Sequence, residues 1–341
     1  MTVTLNRDAG KVFFEGLENA NIGSPPHTNS VMAARSYAFQ AAGADISYEY
    51  LMGVSGAAFR LQMYQPEWCP SAPHAACGFR CCDVAQAAVP FDITGFEPKA
   101  DDVEGVEKAR REIVASIDRG IPVICYSEED SLVVGYEDGG KVLLVRAYVA
   151  GKPGYKPLNK WPWGFGIIKR KAEMPDPGKT ILRSLEIAKE LAHSKNYYEG
   201  HYASGFAAYE IWIAGLNDDK RFENKTPKDL PILANAHCYS CLVDARAAAA
   251  IYLRGVAGKF PADAQAHLLK AADLYDREQR DVLSKKCPTD IAPYPWSLKK
   301  GQSWTSAMRH EQAAILKEAF ELDKQAVAEI ESALAAGGMK P

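Results

Sequence analysis

Ser30-Val31-Met32-Ala33-Ala34-Arg35-Ser36-Tyr37-Ala38-Phe39-Gln40-Ala41-Ala42-Gly43 sets Val31, Ala34, Tyr37, Ala38 and Ala41 at three- and four-residue spacing. That spacing predicts an amphipathic helix over about 30–42 that stops at the glycine. Further along, Ile121-Pro122-Val123-Ile124-Cys125-Tyr126, Leu132-Val133-Val134-Gly135-Tyr136 and Val142-Leu143-Leu144-Val145 are short runs rich in β-branched residues. Asp138-Gly139-Gly140 between the last two is a hairpin signal, so they predict an antiparallel sheet. Trp163-Gly164-Phe165-Gly166-Ile167-Ile168 adds a strand, and Val103, Val106, Ala109, Ile113 and Ile117 mark a helix over about 102–119. Helix followed by sheet is an α+β layout.

Beyond Met174-Pro175-Asp176-Pro177-Gly178, where two prolines and a glycine predict a linker, the pattern is helical throughout. Helices are expected over about 179–194, 204–216, 228–256, 261–284 and 303–336, with Ser303 and the Asp263 region as caps and Gly337-Gly338 as a stop. The expected organisation is an α+β domain over 1–172, a linker over 173–178 and an all-helical domain over 179–338. The 341 residues and 47% hydrophobic content suffice for two cores.

The net charge of -3, with 40 basic and 43 acidic residues, gives no field for nucleic acid, and no block of like charge forms an arm. The first residues carry no basic stretch followed by an apolar one, and no apolar run approaches a membrane span. A cytoplasmic protein without membrane or nucleic-acid partners is therefore expected, with a homodimer left open. In that compartment the eight cysteines are expected to be reduced.

The Ser30 to Gly43 stretch is followed by Ile46-Ser47-Tyr48-Glu49-Tyr50-Leu51-Met52-Gly53-Val54-Ser55-Gly56-Ala57-Ala58-Phe59-Arg60. Together with Val133-Val134-Gly135-Tyr136-Glu137-Asp138, these segments resemble the N-terminal domain of the butirosin-biosynthesis acyltransferase family and, more remotely, the bacteriocin-leader peptidases. The resemblance covers about 20–150. It implies a papain-like fold and acyl-transfer or amide-bond chemistry on a small molecule or a carrier-bound acyl group. In that pattern a cysteine opens the helix, a histidine lies about six residues before the strand glycine and an acidic residue follows one strand later. The cysteine slot falls on Ser30, the histidine slot on Glu129 and the acidic slot near Arg146.

A thiolate forms readily at a helix N-terminus beside an imidazolium. A serine hydroxyl instead needs an adjacent base. Ser30 as nucleophile and Glu129 as base are the candidate catalytic residues, because burial and the neighbouring Glu128 and Asp130 would raise the Glu129 pKa toward neutrality. The competing reading makes Ser30 a helix cap and Glu128-Glu129-Asp130 a solvated turn. Candidate substrate contacts are Asn29 beside the slot, His27 three residues before it, Tyr50, Ser55 and Arg60 in the glycine-rich segment, Cys69 just after it, and Trp163. The last belongs to an aromatic group with Trp161, Tyr197, Tyr198, Tyr202, Tyr209 and Trp212 that would either line a cleft or pack helices.

Two further readings stand beside the enzyme. One is a noncatalytic protein that keeps the cleft for a small ligand or peptide. The other is a thiol redox or metal protein, which needs the sulfurs of Cys69, Cys77, Cys81 and Cys82 to converge. Their spacing is poor for zinc, and Cys238-Tyr239-Ser240-Cys241 lies in helical sequence, so no metal site and no cofactor are expected.

Overall fold

A computed structural model describes residues 2–147, 152–197, 200–225, 229–298 and 302–337. The chain forms two compact units, and their boundaries differ from the expected ones in one respect. Met1–Leu51 joins Gln86–Pro175 in the first unit, while Met52–Ala85 joins Asp176–Pro341 in the second. The crossing at Pro175 falls inside the expected linker. Residues 52–85, assigned by sequence to the first domain, belong with the helices because their apolar side chains find partners there. Among the described residues no helix is long and apolar enough to cross a membrane.

The first unit is α+β. The strand Ser131–Glu137 is its hub: the first half pairs with Val123–Tyr126, the second half with Lys11–Glu15, and Val142–Arg146 also runs antiparallel to it. Gly164–Arg170 links Val123–Tyr126 to Phe91–Phe96, and Thr4–Asp8 pairs with Lys11–Glu15. Every pairing is antiparallel, as the hairpin signal predicts. The layout is not simply helix then sheet, because the N-terminal hairpin, which periodicity missed, adds to the sheet closed by later strands.

The helix Ser30–Ala41 lies against Val123–Tyr126 and Ser131–Glu137. Its small residues Ala33, Ala34 and Ala38 are wholly buried, and Phe39 stacks on Phe91 with ring centroids 4.9 Å apart. The helix Val103–Asp118 covers the sheet through Ala109, Ile113 and Ile117, with Asp102 as its N-cap accepting from the Gly105 amide.

The second unit is a helical assembly of Pro177–His193, Gly205–Asn217, Leu230–Ala257, Ala262–Arg277 and Ser306–Ala335, extended by a π-helical turn over Glu278–Leu283. Gln62–Tyr64 completes a small antiparallel sheet with Asn196–Tyr197 and Tyr202–Ser204. Leu61, Met63, Trp68 and Ala72 enter the same core as Tyr209, Trp212, Tyr239 and Leu316.

Several local expectations need correction. Pro177 and Gly178 start a helix rather than interrupt one, because Pro is tolerated in the first turn and Asp176 accepts from the Gly178 and Lys179 amides. Thr305, not Ser303, caps the last helix, and Asp263 sits inside the first turn after Pro261 rather than at a cap. The helix expected over 303–336 runs Ser306–Ala335; Gly337 follows it, and Gly338 lies outside the described residues.

The glycine-rich segment does not require a substrate cleft to explain it. A Cβ on Gly53 would sit 2.0 Å from Cγ of Tyr252, and one on Gly56, at φ +80, would sit 2.5 Å from Cγ2 of Ile187. The Tyr252 ring is buried and its hydroxyl lies 2.6 Å from Ser184 Oγ, so it has no room to yield. Gly53→Ala is therefore expected to lower stability by about 1–3 kcal/mol through overpacking. An unchanged urea midpoint would refute this account of the glycine.

Candidate active site

Asn29 is the N-cap of the helix Ser30–Ala41, its side-chain oxygen accepting from the Met32 amide at 3.1 Å. Ser30 is thus the first helical residue and not the cap that sequence reasoning offered as the alternative to a nucleophile. Ser30 is 2% exposed, and its hydroxyl accepts from the Asp130 amide at 3.1 Å. The carboxyl of Glu129 lies in electrostatic reach of the same hydroxyl. The two residues assigned to nucleophile and base therefore meet, because the helix N-terminus abuts the turn between Val123–Tyr126 and Ser131–Glu137.

That turn is not a solvated acidic loop. Asp130 is buried and pairs with Arg35 at 3.0 Å, and Arg35 also donates to the Val31 carbonyl. Burial still holds the Asp130 pKa above its ordinary value, against the opposing pull of Arg35. Ser127 Oγ donates to the Glu129 carbonyl, which fixes the turn locally. Burial likewise raises the Glu129 pKa, the Ser30 hydroxyl works in the other direction, and Asp130 and Glu128 add to the rise. A carboxyl in that setting holds a proton more strongly than a solvated one.

Glu129 borders a cavity of about 410 Å³ in the first unit, shared with Cys125, Lys156, Lys160, Trp161 and Trp163. Trp163 is 63% exposed at its rim, whereas Trp161 is anchored by its indole N–H to the Pro98 carbonyl at 2.9 Å. Ser30 is not among the lining residues. Sequence reasoning missed Cys125, Lys156 and Lys160: the first reads as one more buried strand residue, and the lysines as ordinary surface charge. Burial pushes the Cys125 thiol up to about 11, so it is no thiolate nucleophile at neutral pH.

The remaining candidates are placed elsewhere. His27 stacks on Tyr48 with centroids 4.2 Å apart, its Nδ1 is 3.3 Å from Tyr37 Oη and its Nε2 is 3.8 Å from a Glu49 oxygen. The hydrogen bond from His27 lowers the Glu49 pKa. Tyr48 Oη accepts from the Asn29 amide at 3.2 Å. Tyr50 is half-buried, and burial raises its pKa.

Ser55, Arg60 and Cys69 belong to the second unit. Ser55 is wholly buried and donates to the Met52 carbonyl, and Arg60 donates to the carbonyls of Pro73, Cys77 and Phe79. Both organise backbone; Cys69 is partly buried near Tyr202. Tyr209 and Trp212 are fully buried and bonded to Glu278 and Asn235, so they pack helices rather than line a cleft. Tyr198 lies outside the described residues.

All eight cysteines are free thiols. Cys81 and Cys82 are buried, and among the described residues no three His, Cys, Asp or Glu side chains are placed to hold a metal ion. No protein-family model and no curated protein matches this chain.

Proposed function

We propose that the chain is an acyl-transfer or amide-bond enzyme on a papain-like scaffold, acting on a small molecule or carrier-bound acyl group, with Ser30 as nucleophile and Glu129 as base. The observation that carries this reading is that the Ser30 hydroxyl is bonded to the Asp130 amide, which sets it against the turn that carries Glu129 and within electrostatic reach of that carboxyl. In the first step the Ser30 oxygen bonds to the acyl carbon while its proton passes to Glu129. The amide or ester bond then breaks and the leaving group takes that proton. An incoming water, amine or alcohol next gives its proton to Glu129 as it attacks the acyl-serine, and serine is restored. The N-terminal end of the helix favours the negative oxygen of the tetrahedral intermediate.

A second reading, a noncatalytic protein that holds a ligand in the same cavity, is favoured by a separate observation. Ser30 is 2% exposed, with its hydroxyl already bonded to the Asp130 amide. Acylation requires a movement that uncovers it. Incubation with an activated aryl ester, followed by intact-mass and peptide analysis, separates the two. The enzyme reading expects one acyl group per chain, located on Ser30 and missing from Ser30→Ala. Acylation only at lysines, or none, would leave the binding reading.

A further inference from the structure

Arg146 ends the strand Val142–Arg146, in the region where the resemblance expects an acid, and it is 7% exposed. Its Nε donates to the Ala20 carbonyl at 2.8 Å, and its Nη1 donates to the carbonyls of Lys152 and Gly154 at 2.6 and 3.3 Å. These partners are neutral. Among the described residues Arg146 forms no ion pair, and its Nη2 makes no hydrogen bond. A buried cation is ordinarily paired, since leaving water without a counter-charge is costly. Glu18 is the carboxylate in electrostatic reach, and its Oε2 accepts from the Gly16 amide at 2.7 Å.

The guanidinium borders a cavity of about 320 Å³, lined also by Asn19, Asn21, Ser24, Ala147 and Lys152. That lining contains two cations and three neutral polar side chains, and no carboxylate. The planar guanidinium fork matches the two oxygens of a carboxylate or phosphate, and a lysine beside it adds a second positive charge. We infer that this cavity is a binding site for an anionic group, a carboxylate or a phosphate monoester, held by Arg146 with Lys152 at its side.

Ala147 lines this cavity and the one at Glu129 as well. A single ligand that reaches both would place its anionic end at Arg146 and its reacting part at Glu129. Assigning the anion to the substrate rests on the functional reading above; the anion site itself does not.

The test follows side-chain Nε–Hε resonances of nitrogen-15-labelled protein during titration with inorganic phosphate, acetate or chloride at constant ionic strength. One arginine resonance, absent from Arg146→Lys, is expected to shift saturably with phosphate or acetate and to stay still with chloride. Phosphate alone would identify a phosphorylated ligand, acetate alone a carboxylate. If Arg146→Lys fails to fold, Lys152→Ala carries the test, because it leaves every Arg146 bond to side-chain-independent carbonyls in place and is expected to weaken the same shift several-fold. No saturable shift with either anion, or an equal shift with chloride, overturns the inference. Anion binding without an acyl-Ser30 adduct sinks the enzyme reading and leaves this site standing; an adduct without anion binding does the reverse.

Discussion

Arg246→Met is expected to destabilise the helical unit by about 3–5 kcal/mol, the usual consequence of stripping a buried charge network of its one cation. Arg246 is wholly buried; its Nη2 is 2.8 Å from Asp323, its Nε 3.3 Å from Glu278, and its Nη1 donates to the Ala58 carbonyl. Tyr209 donates to the same Glu278 oxygen at 2.8 Å, while the other oxygen, Oε2, has no partner. Methionine would leave two carboxyls facing each other in an apolar interior. Urea unfolding followed by far-UV circular dichroism measures the loss, and a change below about 1 kcal/mol would contradict this account.

The pH dependence has a definite sign. Burial, and then Asp323, push the Glu278 pKa from 4.5 up to about 8 despite Arg246. Between those values the folded chain binds more protons than the unfolded one, so this contribution is complete below about pH 4.5 and fades as pH rises toward 8. Glu278→Gln is expected to flatten that decline.

Glu129→Gln is the second large effect. If Glu129 takes the proton of Ser30, glutamine, which is close in shape and cannot accept it, lowers the turnover of an activated ester by about 10²–10⁴-fold. The melting temperature is expected to change little, because glutamine keeps the shape of the side chain it replaces. On that reading the activity of the unaltered chain is expected to rise with pH as Glu129 ionises, displaced upward because burial raises its pKa. A Glu129→Gln variant with unchanged turnover, or with the native pH limb intact, would remove Glu129 from the chemistry.

The helices of the second unit were readable because each carries its own period of apolar residues, and the predicted spans differ from Gly205–Asn217, Leu230–Ala257 and Ser306–Ala335 by a few residues at most. The strands Thr4–Asp8 and Phe91–Phe96 were not, since strand identity there depends on partners far along the chain. Ser30 and Glu129 were paired by the slots that the resemblance assigns, and the structure sets the Ser30 hydroxyl against the turn that carries Glu129. The carbonyl partners of Arg60 and Ser55 were not legible, because a polar side chain in a glycine-rich stretch looks the same whether it faces a ligand or a nearby carbonyl. Lys156 and Lys160 carried no signal, because only the path of the backbone after Arg146 brings them to the cavity.

Ribosomal synthesis runs in one direction, and the division of this chain does not follow it. Residues 52–85 emerge early, yet their core partners Tyr209, Trp212, Tyr239 and Leu316 come only with the C-terminal helices. Trp68 and Met63 must therefore wait, unpacked, while the remainder of the first unit is made. Any fragment cut at Pro175 would carry that segment permanently without its core, so the first unit is not separable by simple truncation; excising 52–85 and bridging Leu51 to Gln86 is the dissection that respects how the apolar surface is shared.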